Sequence, residues 1–466
     1  MSIVVPPAEE LAARLEKLIA ERQVVGATVA VLVDGAISDA AAGFVNQRTG
    51  VEATTDSLFQ IGSISKVWAA TIAMQLVGEG VLDLDEPVVG YLPELRLADP
   101  EQTSAVTVAM LLNHTSGIGG DWFADAGRGD DCLERYVAQL GDLGFGYAPG
   151  SRFSYCNAGW AILGRVIEVM AGEPWDAVLR RRLIEPLGLT HCVTLPEEAI
   201  LHRAAAGHFR RPDKNGVEVA PLWALPRSMG PAGSTLTMTA SDLVRFAQFH
   251  LDGGIAPAGN RLLELDLVAR MQRPSVDLSD LSFFPGLDGW GFGWMLFDWG
   301  GTRVVGHDGA TAGQVATLRV APALGMAVAM MANTVPGGAQ LFHDATEWLW
   351  GEIGGVDVPA QPAPKPAADR PVVDPERYVG TYERPGVTIE VTIAAQGGME
   401  IDRIPAPQLA PFVPPQPAQA LVPHEVDLFL TAPLETDAWS PVVFMRDRNA
   451  ARATFIFDGG RLAARA

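Results

Sequence analysis

Residues 354–371 read GGVDVPAQPAPKPAADRP. Proline has no backbone N–H and cannot extend a helix or donate to a sheet ladder, so this run reads as a linker. It splits a 466-residue chain, too long for one ordinary core, into residues 1–353 and 372–466. The two sides are patterned differently. On the first, AEELAARLEKLIAERQ (8–23) has helical periodicity. VVGATVAVLVDGAISDAAAGFVN is strand, Asp-Gly turn and strand, and WAATIAMQLVGEG is a helix running on from Lys66 and stopped by Gly80. Helical signals fill residues 103–200, and residues 301–333 return as successive antiparallel strands. Strands at both ends around a helical middle predict an α+β domain whose sheet draws on both ends. Beyond the linker, YVGTYER, VTIEVTIA, GMEIDRI, EVDLFLTA, PVVFMRD and ATFIFDGG alternate with period two, predicting a small all-β barrel or sandwich.

Thirty-four basic residues against 55 acidic ones leave a net charge of −21. That excludes the dense phosphate neutralisation a nucleic-acid partner requires. Three scattered cysteines form no disulfide framework or metal spacing, and no cofactor or metal is expected. The N-terminal MSIVVPPAEELAARLEKL lacks a basic leader, and no run approaches 18 apolar residues, so a cytoplasmic protein without a membrane partner is expected.

Only four of the 34 basic residues are lysines, and one lies in QIGSISKVWAA (60–70), three residues after Ser63. That spacing puts Ser63 and Lys66 on one helix face within side-chain reach. The positive end of a helix favours negative charge developing on the serine and disfavours a protonated lysine beside it. A neutral amine can take the serine proton; arginine, which does not deprotonate, cannot. At its ordinary pKa a lysine is neutral in about one molecule in a few thousand at pH 7. Holding it half neutral takes roughly 4–5 kcal/mol of desolvation and repulsion, for which Ile61, Ile64, Val67 and Trp68 are the local source. Sixteen serines and four lysines produce roughly 0.14 such pairs by chance, so the pair is suggestive and needs support.

Support comes from two further motifs. In PGSRFSYCNAGWAILGRVIEVMAG (149–172), Tyr155 is a second acid/base and Asn157 is placed to orient Lys66 and a substrate carbonyl; the alternative is a turn tyrosine beside an asparagine helix cap. In VVGHDGATAG (304–313), His307 on a strand is placed to hold the Tyr155 phenol. Gly309 lets a substrate backbone approach, and the amides of Ala310 and Ser63 form an oxyanion hole. The other seven histidines read as structural.

The order Ser-x-x-Lys, Tyr-x-Asn, His-x-Gly resembles the serine β-lactamase and penicillin-binding-protein superfamily, its class C-like branch in particular. LLNHTSGI (111–118), GVLDLDEPVVGYLP (80–93) and GPAGSTLTMTASDLVRFAQF (230–249) strengthen a likeness that covers roughly residues 8–352. The resemblance implies a β-lactamase/transpeptidase-like domain, with a five-stranded antiparallel sheet between helices and an all-α lobe. It also implies an acyl intermediate on Ser63, with Gly233 and Ser234 beside the substrate. His-x-Gly replaces the family's Lys-Thr-Gly, which weakens a β-lactamase reading.

With a second β domain behind, the layout looks like that of stand-alone penicillin-binding-protein-type thioesterases, whose C-terminal domain is lipocalin-like. These release a peptidyl thioester from a carrier protein as a head-to-tail macrolactam, usually with a D-residue at the acyl end. Arg446, in VVFMRDR, is then the expected contact from that domain, against the plainer reading of a solvated strand residue. The alternatives are a cytoplasmic esterase or D-aminopeptidase-like hydrolase acting on a small ester or peptide, and a retired hydrolase that only binds.

Overall fold

The computed structural model describes residues 3–210, 216–281, 286–359, 370–395, 397–407, 417–432 and 439–466. Its centre is an antiparallel sheet. In chain order its strands are β1 (Gly26–Val33), β2 (Ala36–Asn46), β3 (Val51–Glu52), β4 (Val276–Asp277) and β5 (Leu287–Trp290). They continue with β6 (Met295–Trp299), β7 (Thr302–Ala310), β8 (Val315–Ala321) and β9 (Met326–Ala332). The spatial order is β3-β2-β1-β9-β8-β7-β6-β5-β4, so strands from both ends of the domain meet in the middle.

The sheet is wider than the five strands expected. β3 extends one edge, and β6, β5 and β4 extend the other, because the Trp- and Phe-rich stretch 287–299 itself forms strands. That extension stops short. β6 pairs with β7 from Trp299↔Thr302 to Met295↔Gly306 and no further. Residues His307–Ala310 pair only with β8, leaving their other edge free.

Helices cover both faces. On one lie α1 (Ala8–Glu21), which buries Leu11 and Leu15, and α5 (Gly337–Thr346). On the other, α2 (Ser65–Gly78) is buried continuously from Ser65 to Leu76. It is apolar nearly all round, as an internal helix must be. It is packed by α3 (Asn157–Ala171) of the helical lobe and α4 (Ala240–Leu251). No helix among the described residues is long and apolar enough to cross a membrane.

The proline-rich run is described up to residue 359; residues 360–369 lie outside the described residues. Its first part is not simply free, because Val356 is apolar and packs into the core beside Trp350 and Met326. The C-terminal part is a closed antiparallel barrel of eight strands. These are β10 (Gly380–Arg384), β11 (Val387–Ile393), β12 (Met399–Pro405), β13 (Gln419–Glu425), β14 (Leu428–Thr431), β15 (Ser440–Met445), β16 (Phe455–Asp458) and β17 (Arg461–Arg465). Each pairs with the next, and β17 closes on β10 through Tyr382↔Arg465. Closure removes the exposed edges that a small sheet would otherwise present. Alternate side chains point inward, and Tyr378, Tyr382, Ile389, Phe429 and Phe444 fill the interior.

The barrel is seated on the first domain. Phe457 and Leu462 join the same core cluster as Phe153 and Trp290. Tyr155 N–H donates to the Gly460 carbonyl at 2.9 Å, and Leu462 N–H donates to Ser154 Oγ at 3.0 Å.

Candidate active site

From Ser57 to Leu76 every residue is buried except Ser63. It stands on a 3₁₀ turn, Gly62–Ile64, that leads into α2. Lys66, one turn on, is fully buried. Its Nζ has three partners: Ser63 Oγ at 2.9 Å, Asn157 Oδ1 at 2.8 Å and the Ala232 carbonyl at 2.5 Å. Burial, helped by the Arg461 charge, holds the amine well below its usual pKa. A neutral amine has two N–H groups and one lone pair. The Asn157 Oδ1 and Ala232 carbonyl oxygens accept from Nζ, so in the neutral amine they take the two hydrogens and the lone pair is left for the Ser63 hydroxyl.

Asn157 opens α3, yet it is not the cap. Cys156 Sγ accepts from Gly159 N–H at 3.3 Å and caps the helix, which leaves the Asn157 amide for the site. Its Nδ2 donates one hydrogen to Asp121 Oδ1 at 2.8 Å, and Asn157 also lines the cavity at Ser63. Tyr155, just before the cap, lines the same cavity as Ser63, and its ring centroid lies 4.8 Å from Lys66 Nζ. Burial raises the phenol above its usual pKa, partly offset by Ser63 and by Arg461, so it keeps its proton.

His307 differs from expectation. Its Nδ1 donates to the Asp308 carbonyl at 2.6 Å, which places the ring proton there and leaves Nε2 a buried lone pair without a partner. Its ring centroid is 6.1 Å from that of Tyr155, with no hydrogen bond between them. Burial and the nearby Lys66 push its pKa down to about 3. The ring that holds Tyr155 is His114, read from the sequence as structural, stacked at 4.3 Å and 25°.

Gly309 lines the cavity and also makes a close approach within the protein itself. A Cβ there would lie 1.9 Å from the Ile61 carbonyl oxygen and 3.0 Å from the Ser63 nitrogen. Only a glycine lets β7 press against the Ser63 turn, and this brings Ala310 and Ser63 to one cavity wall. Gly233, at φ +120°, packs as closely on Gly62. Ser234 is buried, its Oγ unpartnered, and lines the same cavity.

That cavity encloses about 780 Å³. Trp290, Met295, Phe297, Trp299 and Phe342 make its walls apolar, and Gly459, Gly460 and Arg461 of the barrel close one side. Arg446 lines neither this cavity nor the one on the other side of Arg461. It pairs with Asp427 at 3.3 Å. The reason is register. β15 and β16 pair Met445 with Phe455, so Arg446 lies at the opposite end of the barrel from the Gly459–Gly460 turn. The barrel instead sends in Arg461, whose guanidinium lies 4.9 Å over the Tyr155 ring and 2.6 Å from Asp121. Arg384 reaches the same carboxylate at 3.3 Å. Asp121, Arg384, Arg461 and His114 were not singled out in the sequence; no local spacing links them.

A nucleophile, a buried amine held well below its usual pKa and a protonated phenol beside them form an acyl-transfer centre. The Beta-lactamase family profile matches residues 11–349. The chain belongs to the β-lactamase family. Within that family it is 46% identical over 376 residues to penicillin-binding protein 4 of Amycolatopsis lactamdurans, covering 80% of this chain and 97% of that one. Esterase EstB of Burkholderia gladioli is 31% identical over 277 residues, 54% of this chain and 66% of its own. Among solved structures, SurE superposes with a TM-score of 0.78 at 31% identity, over 98% of this chain and 99% of its own. That likeness spans the barrel as well as the β-lactamase fold, and the chain is a serine acyl-transfer enzyme of this family.

Proposed function

We propose that the enzyme releases a peptide from a carrier-protein thioester and closes it head to tail in the cytoplasm, through an acyl-Ser63 intermediate and with a D-residue at the acyl end. Lys66 takes the hydroxyl proton as Ser63 attacks the thioester carbonyl. The Ala310 and Ser63 amides receive the oxyanion, and the leaving sulfur takes the proton held by Lys66 and departs as the thiol. The peptide's own amine then attacks the ester and gives its proton to Lys66, and as the bond to Ser63 breaks Lys66 and Tyr155 return that proton to Ser63 Oγ.

The observation that carries this reading is the large apolar cavity at Ser63, closed on one side by the barrel. It is in the upper part of the range of about 300–1,000 Å³ for small-molecule sites. Its walls disfavour water, the competitor of the amine at the acyl-enzyme. The whole-chain likeness to SurE, which has also been solved with D-Leu (TM-score 0.75), supports the acyl-end preference. The likeness to EstB favours a second reading, simple ester hydrolysis at the same serine.

Mass spectrometry after incubation with a peptidyl pantetheine thioester, D at the acyl end and L at the amine end, separates the two. Cyclisation produces a species one water lighter than the linear acid. Linear acid alone, across several peptide lengths, overturns the cyclase reading in favour of hydrolysis.

A further inference from the structure

Lys66, Asn157 and Asp121 form one hydrogen-bonded line from the nucleophile to the barrel. Its outer end is unusual. The Asp121 side chain is 9% exposed, and two guanidiniums from the barrel, Arg461 at 2.6 Å and Arg384 at 3.3 Å, converge on it from β17 and β10. An amide facing a carboxylate must present its NH₂ group, so Asp121 decides which way Asn157 points. With Nδ2 committed to Asp121, Oδ1 is what Lys66 meets. A bare carboxylate at this distance would also attract a proton to Lys66 and end its use as a base.

We infer that Asp121 is a positioning residue through which the barrel acts on the catalytic lysine: its carboxylate fixes the Asn157 amide so that the Lys66 lone pair faces Ser63, and Arg384 and Arg461 cancel its charge so that Lys66 stays an amine. The barrel is thereby an electrostatic part of the acylation machinery as well as a wall. The inference rests on acyl transfer at Ser63 and holds whichever nucleophile removes the acyl group.

The surrounding groups fit. Lys66 also faces His114 and His307, whose charged forms burial disfavours, and Cys156, whose thiol burial raises to about 11. Asp121 also faces Tyr136 and Tyr155, phenols that burial keeps protonated. The standing charges that Lys66 meets along this line are therefore those of Asp121 and the two arginines. Burial works against ionised Asp121, but Arg461 and Arg384 outweigh it and keep its pKa below the ordinary value.

The test is the pH dependence of Ser63 acylation by a p-nitrophenyl ester, read as the p-nitrophenol burst of the full-length protein from pH 4 to 10. Acylation needs neutral Lys66, so the rate rises with pH through its titration. Arg461→Gln removes a positive charge, and the limb should move to higher pH by about 1–3 units. Asp121→Asn keeps an amide-directing oxygen and removes the negative charge, so the limb should stay or move down. Combining the two substitutions should bring the limb back to within about half a unit of its original position, and Arg461→Lys should leave it in place. A limb that does not move in Arg461→Gln, or a double variant no better than the single one, overturns the inference. A fall in rate with the limb unmoved also overturns it, since it would mark the arginine as merely structural. These outcomes leave the cyclase reading untouched, because no step of the burst involves the peptide amine.

Discussion

Ser63 and Lys66 show how much chemistry a three-residue spacing carries once burial is added. The lysine is buried among Ile64, Val67 and Trp68 and is satisfied by two acceptors that want hydrogens and one hydroxyl that can surrender one. Ser63→Ala should abolish covalent labelling by a serine-reactive acyl probe, seen as loss of the mass shift on intact protein. Lys66→Arg should lower acylation about 10²–10⁴-fold, the usual worth of a general base, because a guanidinium cannot release its proton. Activity close to wild type in Lys66→Arg would move the base to Tyr155. His307 is neutral at any pH well above about 3. The pH profile should therefore show no limb from it between pH 5 and 8, and His307→Asn should change the rate without moving the limb that remains.

At the scale of elements, the site is made where β7 outruns its neighbour. β6 ends its pairing at Gly306, and the free stretch to Ala310 runs past the Ser63 turn. Contact is so close that a single methyl does not fit. Gly309→Ala should cost about 1–3 kcal/mol as an overpacked position and should also depress acylation, since β7 must withdraw from Ser63. A thermal unfolding curve and the ester burst, taken on the same sample, check both. The helix and strands that frame this were readable from the sequence because their signals are local: 8–23 repeats at 3.6 residues, and 26–46 is two strand-like runs about an Asp-Gly turn. The extra strands of 276–299 were not readable, because aromatic runs interrupted by glycine carry no clear period.

For the whole molecule, the question is what the barrel adds. It buries Phe457 and Leu462 against Phe153 and Trp290, and it closes the cavity with the Gly459–Gly460 turn. Leu462→Asp should place an unpaired charge in that seat. The expected result is faster proteolysis within 354–371 and loss of acylation, read by a protease time course beside the ester burst. A variant that is cut faster yet acylates normally would show that the barrel is dispensable for the first half-reaction. Two parts and their fold classes were determined by the sequence alone, and its short spacings singled out Ser63, Lys66, Tyr155 and Asn157, since periodicity, proline content and short spacings are local and survive in one dimension; the role expected of His307 did not hold. Arg461, Arg384 and Asp121 were decided only by the tertiary structure. Asp121 and Arg461 are 340 positions apart, and Arg446 looks no different on paper. Strand register settles which arginine faces the serine, because it fixes which end of the barrel each residue occupies.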